Sequence, residues 1–331
     1  MSVNPPALVL VTGASGYIAS HIIAQLLEAG YRVRGTARGA KLDAIREHYK
    51  SNPNFEAVQI DDIDFSSALQ AGKAAPVEQL QGAIEGTLHV LREALAAGVH
   101  KVVVTSSWAA VLDPSHKDAF TGITFTEKNY GQATREDLIN GNHNPLYTYC
   151  GTKILAEQAA WKFAEEHPEI DLATINPPFL YGAYAANPGQ GPASLGSNIL
   201  LYQLIAGKPG RPLPPQVPPA YCHVKDAARA HLLALKLPKL PAGADVRDKR
   251  FLVTAPEPAL WTETVRYIAE KHPELKDRLP MLENAPPLPG PLSTTDTTRA
   301  REVLGITEYV GLAETVDETI QALLELEKSW K

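Results

Sequence analysis

The stretch Thr12-Gly13-Ala14-Ser15-Gly16-Tyr17-Ile18-Ala19 limits the possible folds of this chain more than any other. It joins a short apolar run of β-formers, Ala7 to Thr12, to a segment with Ile18, Ile22, Leu26 and Leu27 at helical spacing that ends at Gly30. A glycine turn between a strand and a helix aims backbone N–H groups and the positive end of the helix at one point, which suits a pyrophosphate. Gly13 permits the turn, Gly16 allows close approach, and Ala19 is the small residue where helix meets sheet. Ser15, Tyr17 and Ile18 complete the expected phosphate-facing loop.

The pattern then repeats. Tyr31 to Ala37 and Phe55 to Ile60 read as strands, Ala83 to Ala97 as a helix stopped by Gly98, and Lys101 to Ser106 as a strand ending in hydroxyls. Tyr149 to Glu166 reads as an amphipathic helix and Leu172 to Ile175 as a buried strand. Strands alternating with helices predict an α/β fold, a Rossmann-type doubly wound parallel sheet. Beyond Asn176, Pro, Gly and Asn gather at 187–198, and six of the twelve residues at 208–219 are proline, so both are loops. Helical patterns at 225–237, 260–271 and 312–328 suggest a smaller, mainly helical part. The division expected is a dinucleotide-binding domain at 1–175 and a substrate-binding part at 176–331, with some of its segments returning to the sheet.

The second strand ends in Thr36-Ala37-Arg38, with Lys41 beyond it. A site for NAD usually carries a carboxylate there for the ribose 2′-hydroxyl, whereas a 2′-phosphate calls for a cation. Arg38 and Lys41 therefore point to NADPH over NADH. Asp62, after the third strand, is placed to accept from the adenine amino group; an acidic turn residue explains it equally well.

A formal net charge of -6 leaves no basic field for nucleic acid or an anionic membrane. No apolar run approaches the roughly 20 residues of a membrane span, and Met1 to Pro6 does not read as a secretion signal. Cys150 and Cys222 fit neither a disulfide framework nor a zinc pattern, so no metal is expected and a cytoplasmic setting with reduced thiols is.

Tyr149 and Lys153 are four apart in the expected helix and so share a face. A tyrosine that gives a proton to a developing alkoxide is a stronger acid beside an ammonium, and the lysine can also hold the nicotinamide ribose. Tyr147 lies six residues from Lys153, off that face. Ser106 and Ser107 close a central strand at its C-terminal end, where ligands bind in open α/β sheets, and one hydroxyl there can hold a substrate carbonyl.

These segments, with Val104-Thr105-Ser106-Ser107-Trp108-Ala109-Ala110-Val111, Tyr149-Cys150-Gly151-Thr152-Lys153, Ala156-Glu157, Asn176-Pro177 and His223-Val224-Lys225-Asp226-Ala227-Ala228, resemble the extended short-chain dehydrogenases/reductases almost end to end. Within them the chain looks most like fungal ketoreductases of the yeast methylglyoxal reductase type and plant dihydroflavonol and cinnamoyl-CoA reductases. The resemblance implies that Ser107 orients the carbonyl, Tyr149 donates the proton, Lys153 activates it, and Ser106 serves packing or capping. It places Pro177 and the following residues beside the nicotinamide and substrate, with Trp108, Phe179 and Tyr181 as substrate candidates; Phe179 and Tyr181 fit a core role equally. Trp108 replaces an acidic residue common in the dehydratase and epimerase branches, which favours simple reduction. His223 and Asp226 read as a structural turn, and a monomer or homodimer is implied.

The pattern breaks after Asp62. Only 39 residues separate it from Val102, where two βαβ crossovers want about 60. The fourth-strand region is therefore expected to be truncated, with Ala74-Ala75-Pro76 a remnant of the relatives' pyrophosphate turn and Glu85 in place of a helix asparagine. Without that strand the first and fifth strands must meet, or edges stay unpaired. Two readings result: an NADPH-dependent reductase of aldehydes or ketones, or a non-enzymatic nucleotide-binding or interaction protein on the same scaffold.

Overall fold

The computed structural model describes residues 2–60, 76–186 and 194–330. Asp62, Ala74 and Ala75 lie outside them, as does most of the stretch after the third strand. Strand β1 (Leu8–Val11) leads through the glycine turn into α1 (Tyr17–Glu28), followed by β2 (Arg32–Ala37), α2 (Gly39–Tyr49), β3 (Phe55–Gln59), α3 (Pro76–Ala96) and β4 (Lys101–Thr105). Next come β5 (Thr124–Phe125), α4 (Arg135–Asn140), α5 (Pro145–Glu166), β6 (Asp171–Asn176), β7 (Phe179–Tyr181), α6 (Ile199–Ile205), β8 (Tyr221–His223) and α7 (Val224–Lys236). The chain ends with β9 (Arg250–Leu252), α8 (Trp261–Lys271), β10 (Thr294–Thr295) and α9 (Leu312–Glu327). No helix among the described residues is long and apolar enough to cross a membrane.

Two parallel three-stranded sheets result, ordered β1-β2-β3 and β4-β6-β9. Leu8 pairs with Arg32 and Val33 with Phe55 in the first; Lys101 pairs with Asp171 and Thr174 with Arg250 in the second. The alternation along β6 shows why helices cover both faces. Leu172 enters a core with Leu91 of α3 and Trp161 and Phe163 of α5, while Ala173 and Ile175 enter one with Ala227, Ala230 and Ala234 of α7. A further core joins α6, α8 and α9 to Tyr181 and Tyr221.

The shortfall after Asp62 has a visible consequence. Among the described residues β1 pairs only with β2, β4 pairs only with β6 and β9 lies beyond β6, so no ladder joins β1 to β4. A strand in the middle of a doubly wound sheet is ordinarily covered on both faces. Here Leu8 is 44% and Leu10 57% exposed. Of the two outcomes the spacing allowed, a direct β1–β4 pairing is not adopted, and among the described residues the far edges of β1 and β4 carry no partner strand.

Candidate active site

The glycine turn is built on contacts with β2. Gly13 has a φ of 62° and donates to Thr36 Oγ1 at 3.3 Å; Ala14 N donates to the Thr36 carbonyl at 2.9 Å, and Gly16 N to the Gly13 carbonyl at 2.8 Å. Gly16 caps α1 in extended conformation with no side-chain cap, so the first N–H groups of the helix have no side-chain acceptor at that position. Ser15 is half-buried. Tyr17 and Ile18 are turned to the protein: the Tyr17 hydroxyl donates to the Gly182 carbonyl at 2.8 Å, and Ile18 packs against the core around α7. Whatever these two lend to a phosphate, they lend by backbone. Arg38 and Lys41 are exposed where β2 passes into α2, and Arg38 makes no side-chain hydrogen bond or ion pair among the described residues. Gly35, which sequence reasoning passed over, lets the turn close, since a Cβ there would lie 2.8 Å from that of Ala14.

Helix α5 begins four residues before Tyr149, because the Asn144 side chain accepts from Tyr147 N at 3.0 Å and Pro145 takes the first helical position. Tyr149 is 47% exposed, and Lys153 Nζ stands 5.8 Å from its ring centroid. Tyr147 turns away, its hydroxyl donating to Asp137 Oδ2 at 3.1 Å and its ring stacked on His143. Past the end of β4, Ser106 N donates to the Ile175 carbonyl at 2.8 Å and Trp108 N to that of Pro177 at 2.9 Å, which seats Ser107 between them. The Ser107 hydroxyl accepts from Ala109 N at 3.1 Å.

One cavity of about 360 Å³ collects Ser107, Trp108, Tyr149, Lys153, Pro177 and Phe179. Tyr181 is not in its wall; it is 1% exposed, stacked on Tyr221 in the C-terminal core. Phe179 and Tyr181, two apart on β7, share one face of the strand and pack on the same core; Phe179, nearer Pro177, also reaches the cavity wall. His116 and Cys150 also line the cavity, with His116 Nε2 2.9 Å from Cys150 Sγ. Burial lowers the His116 pKa and pushes the Cys150 thiol up to about 12, so both are neutral. Among the described residues that line it, Lys153 carries the one permanent charge. His223 and Asp226 behave as the expected turn: His223 Nδ1 accepts from Lys225 N at 3.1 Å, and Asp226 accepts from Val310 N at 2.8 Å.

A model of the NAD dependent epimerase/dehydratase family matches residues 9–246. The chain is 32% identical to "Ketoreductase azaE" of Aspergillus niger over 348 aligned residues, covering 96% of this chain and 97% of that protein. It is 29% identical to "NADPH-dependent methylglyoxal reductase GRE2" of Saccharomyces cerevisiae, covering 96% of this chain and 98% of the other. Among solved structures, Gre2 of Candida albicans in complex with NADPH superposes with a TM-score of 0.80 at 27% identity, over 97% of this chain and 99% of that one.

Proposed function

Because the chain belongs to the NAD dependent epimerase/dehydratase family, we propose that it is an NADPH-dependent carbonyl reductase that turns an aldehyde or ketone into an alcohol. The observation that carries this reading is the single cavity in which Ser107, Tyr149 and Lys153 meet. The residues present fit the cofactor. The turn at Gly13 and Gly16 offers backbone donors at a helix start without a side-chain cap, and Arg38 is an exposed cation where a 2′-phosphate would need one. Lys41 adds charge beside it, and Pro177 borders the nicotinamide side of the cavity. When bound, NADPH supplies a hydride.

The chain's own residues do the rest. Ser107 accepts from Ala109 N, which leaves its O–H proton free to donate to the substrate carbonyl. Tyr149 reaches the same oxygen and gives it the proton that completes the alcohol. Lys153 stabilises the phenolate left behind and holds the ribose. Trp108 and Phe179 form apolar wall for the substrate's substituents. The domain division follows the same roles: 1–175 binds the dinucleotide and 176–331 shapes the substrate side, with β9 returning to the sheet.

The test is a fluorescence titration with NADPH, followed by NADPH consumption against a panel of aldehydes and ketones. Saturable binding and turnover of at least one carbonyl are expected. Absence of NADPH binding by the folded protein overturns the reading. Binding without any turnover favours the second reading, a nucleotide-binding scaffold, for which the short stretch after Asp62 speaks.

A further inference from the structure

We propose that Glu157, acting through Asn176 and locked by Arg250, is the positioning residue that holds Ser107 in reach of the oxygen Tyr149 protonates; the inference rests on the reductase reading of the site. Glu157 lies on α5 eight residues beyond Tyr149 and is 3% exposed. Its Oε1 accepts from Arg250 Nε at 2.5 Å and from Trp161 Nε1 at 3.2 Å. Its Oε2 accepts from Asn176 Nδ2 at 2.6 Å and from the Ser106 hydroxyl. Arg250, fully buried at the start of β9, is itself held, with Nη1 donating to the carbonyls of Glu127 at 2.7 Å and Asn129 at 2.6 Å and the guanidinium 3.9 Å over the Tyr130 ring.

The link to the reacting groups is Asn176. The same Nδ2 that donates to Glu157 donates to the Ser107 carbonyl at 3.1 Å, while Oδ1 accepts from the Thr174 hydroxyl at 2.9 Å. Glu157 thus holds the turn into Ser107 at two points: the Ser106 hydroxyl directly, and the Ser107 carbonyl through one amide. Because Glu157 and Tyr149 ride on one helix, this bond set fixes the spacing between the Ser107 and Tyr149 hydroxyls, which must meet on one oxygen. An ion pair buried this deeply is a costly way to fill space, where apolar side chains would do as well. What four directional donors on one carboxylate provide is geometry, and a displacement near 1 Å at reacting atoms costs about 100-fold in rate.

Glu157→Gln separates the two halves of the network. Its amide oxygen can still accept from Arg250 and Trp161, but its NH2 faces the Asn176 donor, so the Asn176 contact is lost. With wild type active on its best carbonyl, Glu157→Gln should lower kcat roughly 10- to 100-fold with NADPH affinity within about twofold. The double variant Glu157→Gln/Asn176→Asp restores a complementary bond and the net charge but cannot donate to the Ser107 carbonyl. Its thermal midpoint should return towards wild type while kcat stays low. A wild-type kcat in Glu157→Gln, or kcat recovering together with stability in the double variant, overturns the inference. Should Glu157→Gln not fold, Ser106→Ala deletes one neutral donor; a severalfold lower kcat at unchanged NADPH affinity supports the inference and an unchanged kcat overturns it. Wild type that consumes no NADPH with any carbonyl overturns the reductase reading itself, and is thereby distinguished from failure of the positioning claim alone.

Discussion

Lys153 Nζ lies 5.8 Å from the centroid of the Tyr149 ring, one helical turn along α5, with both side chains in the wall of the same cavity. On the proposed reading Lys153 balances the charge left on Tyr149 once its proton has gone. Lys153→Met should therefore lower kcat by about 100-fold or more and also weaken NADPH, because on that reading the ammonium holds the ribose as well. Steady-state kinetics with a parallel fluorescence titration read both. Loss of kcat with NADPH affinity untouched would confine Lys153 to the proton side.

Arg38 tests cofactor choice. Arg38→Ala should weaken NADPH by about tenfold or more and leave NADH nearly unchanged, since only the former carries the 2′-phosphate. Competitive titration of the two cofactors decides it. Equal losses would mean that Arg38 does not meet that phosphate.

Gly35→Ala probes the seat of the glycine turn. The added methyl would lie 2.8 Å from Ala14 Cβ and 2.9 Å from the Phe55 ring, so the turn or β2 must shift at a cost of about 1–3 kcal/mol. A lower urea midpoint and weaker NADPH binding are expected together. Unchanged stability would contradict the close contact of β2 with the turn.

His231 sets an acid limit on stability. It is buried on α7, Nδ1 donating to the Ala227 carbonyl at 2.8 Å and Nε2 accepting from the Thr105 hydroxyl at 2.8 Å, and burial brings its pKa from 6.5 to about 4. Burial acts the same way on His223, against the pull of Glu318, and leaves it at about 4. Below pH 6.5 the unfolded chain takes up protons on these rings that the native one refuses until about pH 4, so the stability the two histidines contribute falls across that window. His231 alone accounts for about 3 kcal/mol at the acid end. Urea midpoints measured from neutral pH downwards should fall, and less steeply in His231→Gln; a flat wild-type profile would contradict neutral burial of these rings.

The apolar runs make β1, β2, β3, β4 and β6 legible to within a residue or two, but they leave α2 and β9 unread and start α3 at Ala83 in place of Pro76. The four-residue spacing of Tyr149 and Lys153 puts both on one helix face, and the fold brings that face to the cavity. Reading the helix from Tyr149 starts α5 four residues late, although Asn144-Pro145 is a cap followed by a proline suited to the first helical position. The break after β3 showed as too few residues for two crossovers, and among the described residues no strand joins β1 to β4. Other features depend on where distant segments cross. Glu157 and Arg250 are 93 residues apart and meet only because β9 returns to the sheet. His116 enters the cavity from a loop with no periodicity, in a left-handed conformation that carries no sequence mark on a histidine. Tyr181 and Phe179 share one face of β7, and which of them also borders the cavity depends on where the strand's start passes Pro177, which only the fold sets.

The most direct test of the central claim is the rate of NADPH oxidation by Tyr149→Phe at saturating NADPH and carbonyl, compared with wild type. That change removes one hydroxyl and leaves the ring, the helix and the cofactor turn as they are. The rate should fall by about 10²- to 10⁴-fold, with NADPH affinity within about twofold of wild type. A variant that keeps the wild-type rate would show that the proton comes from another group and that the assignment of Tyr149 is wrong.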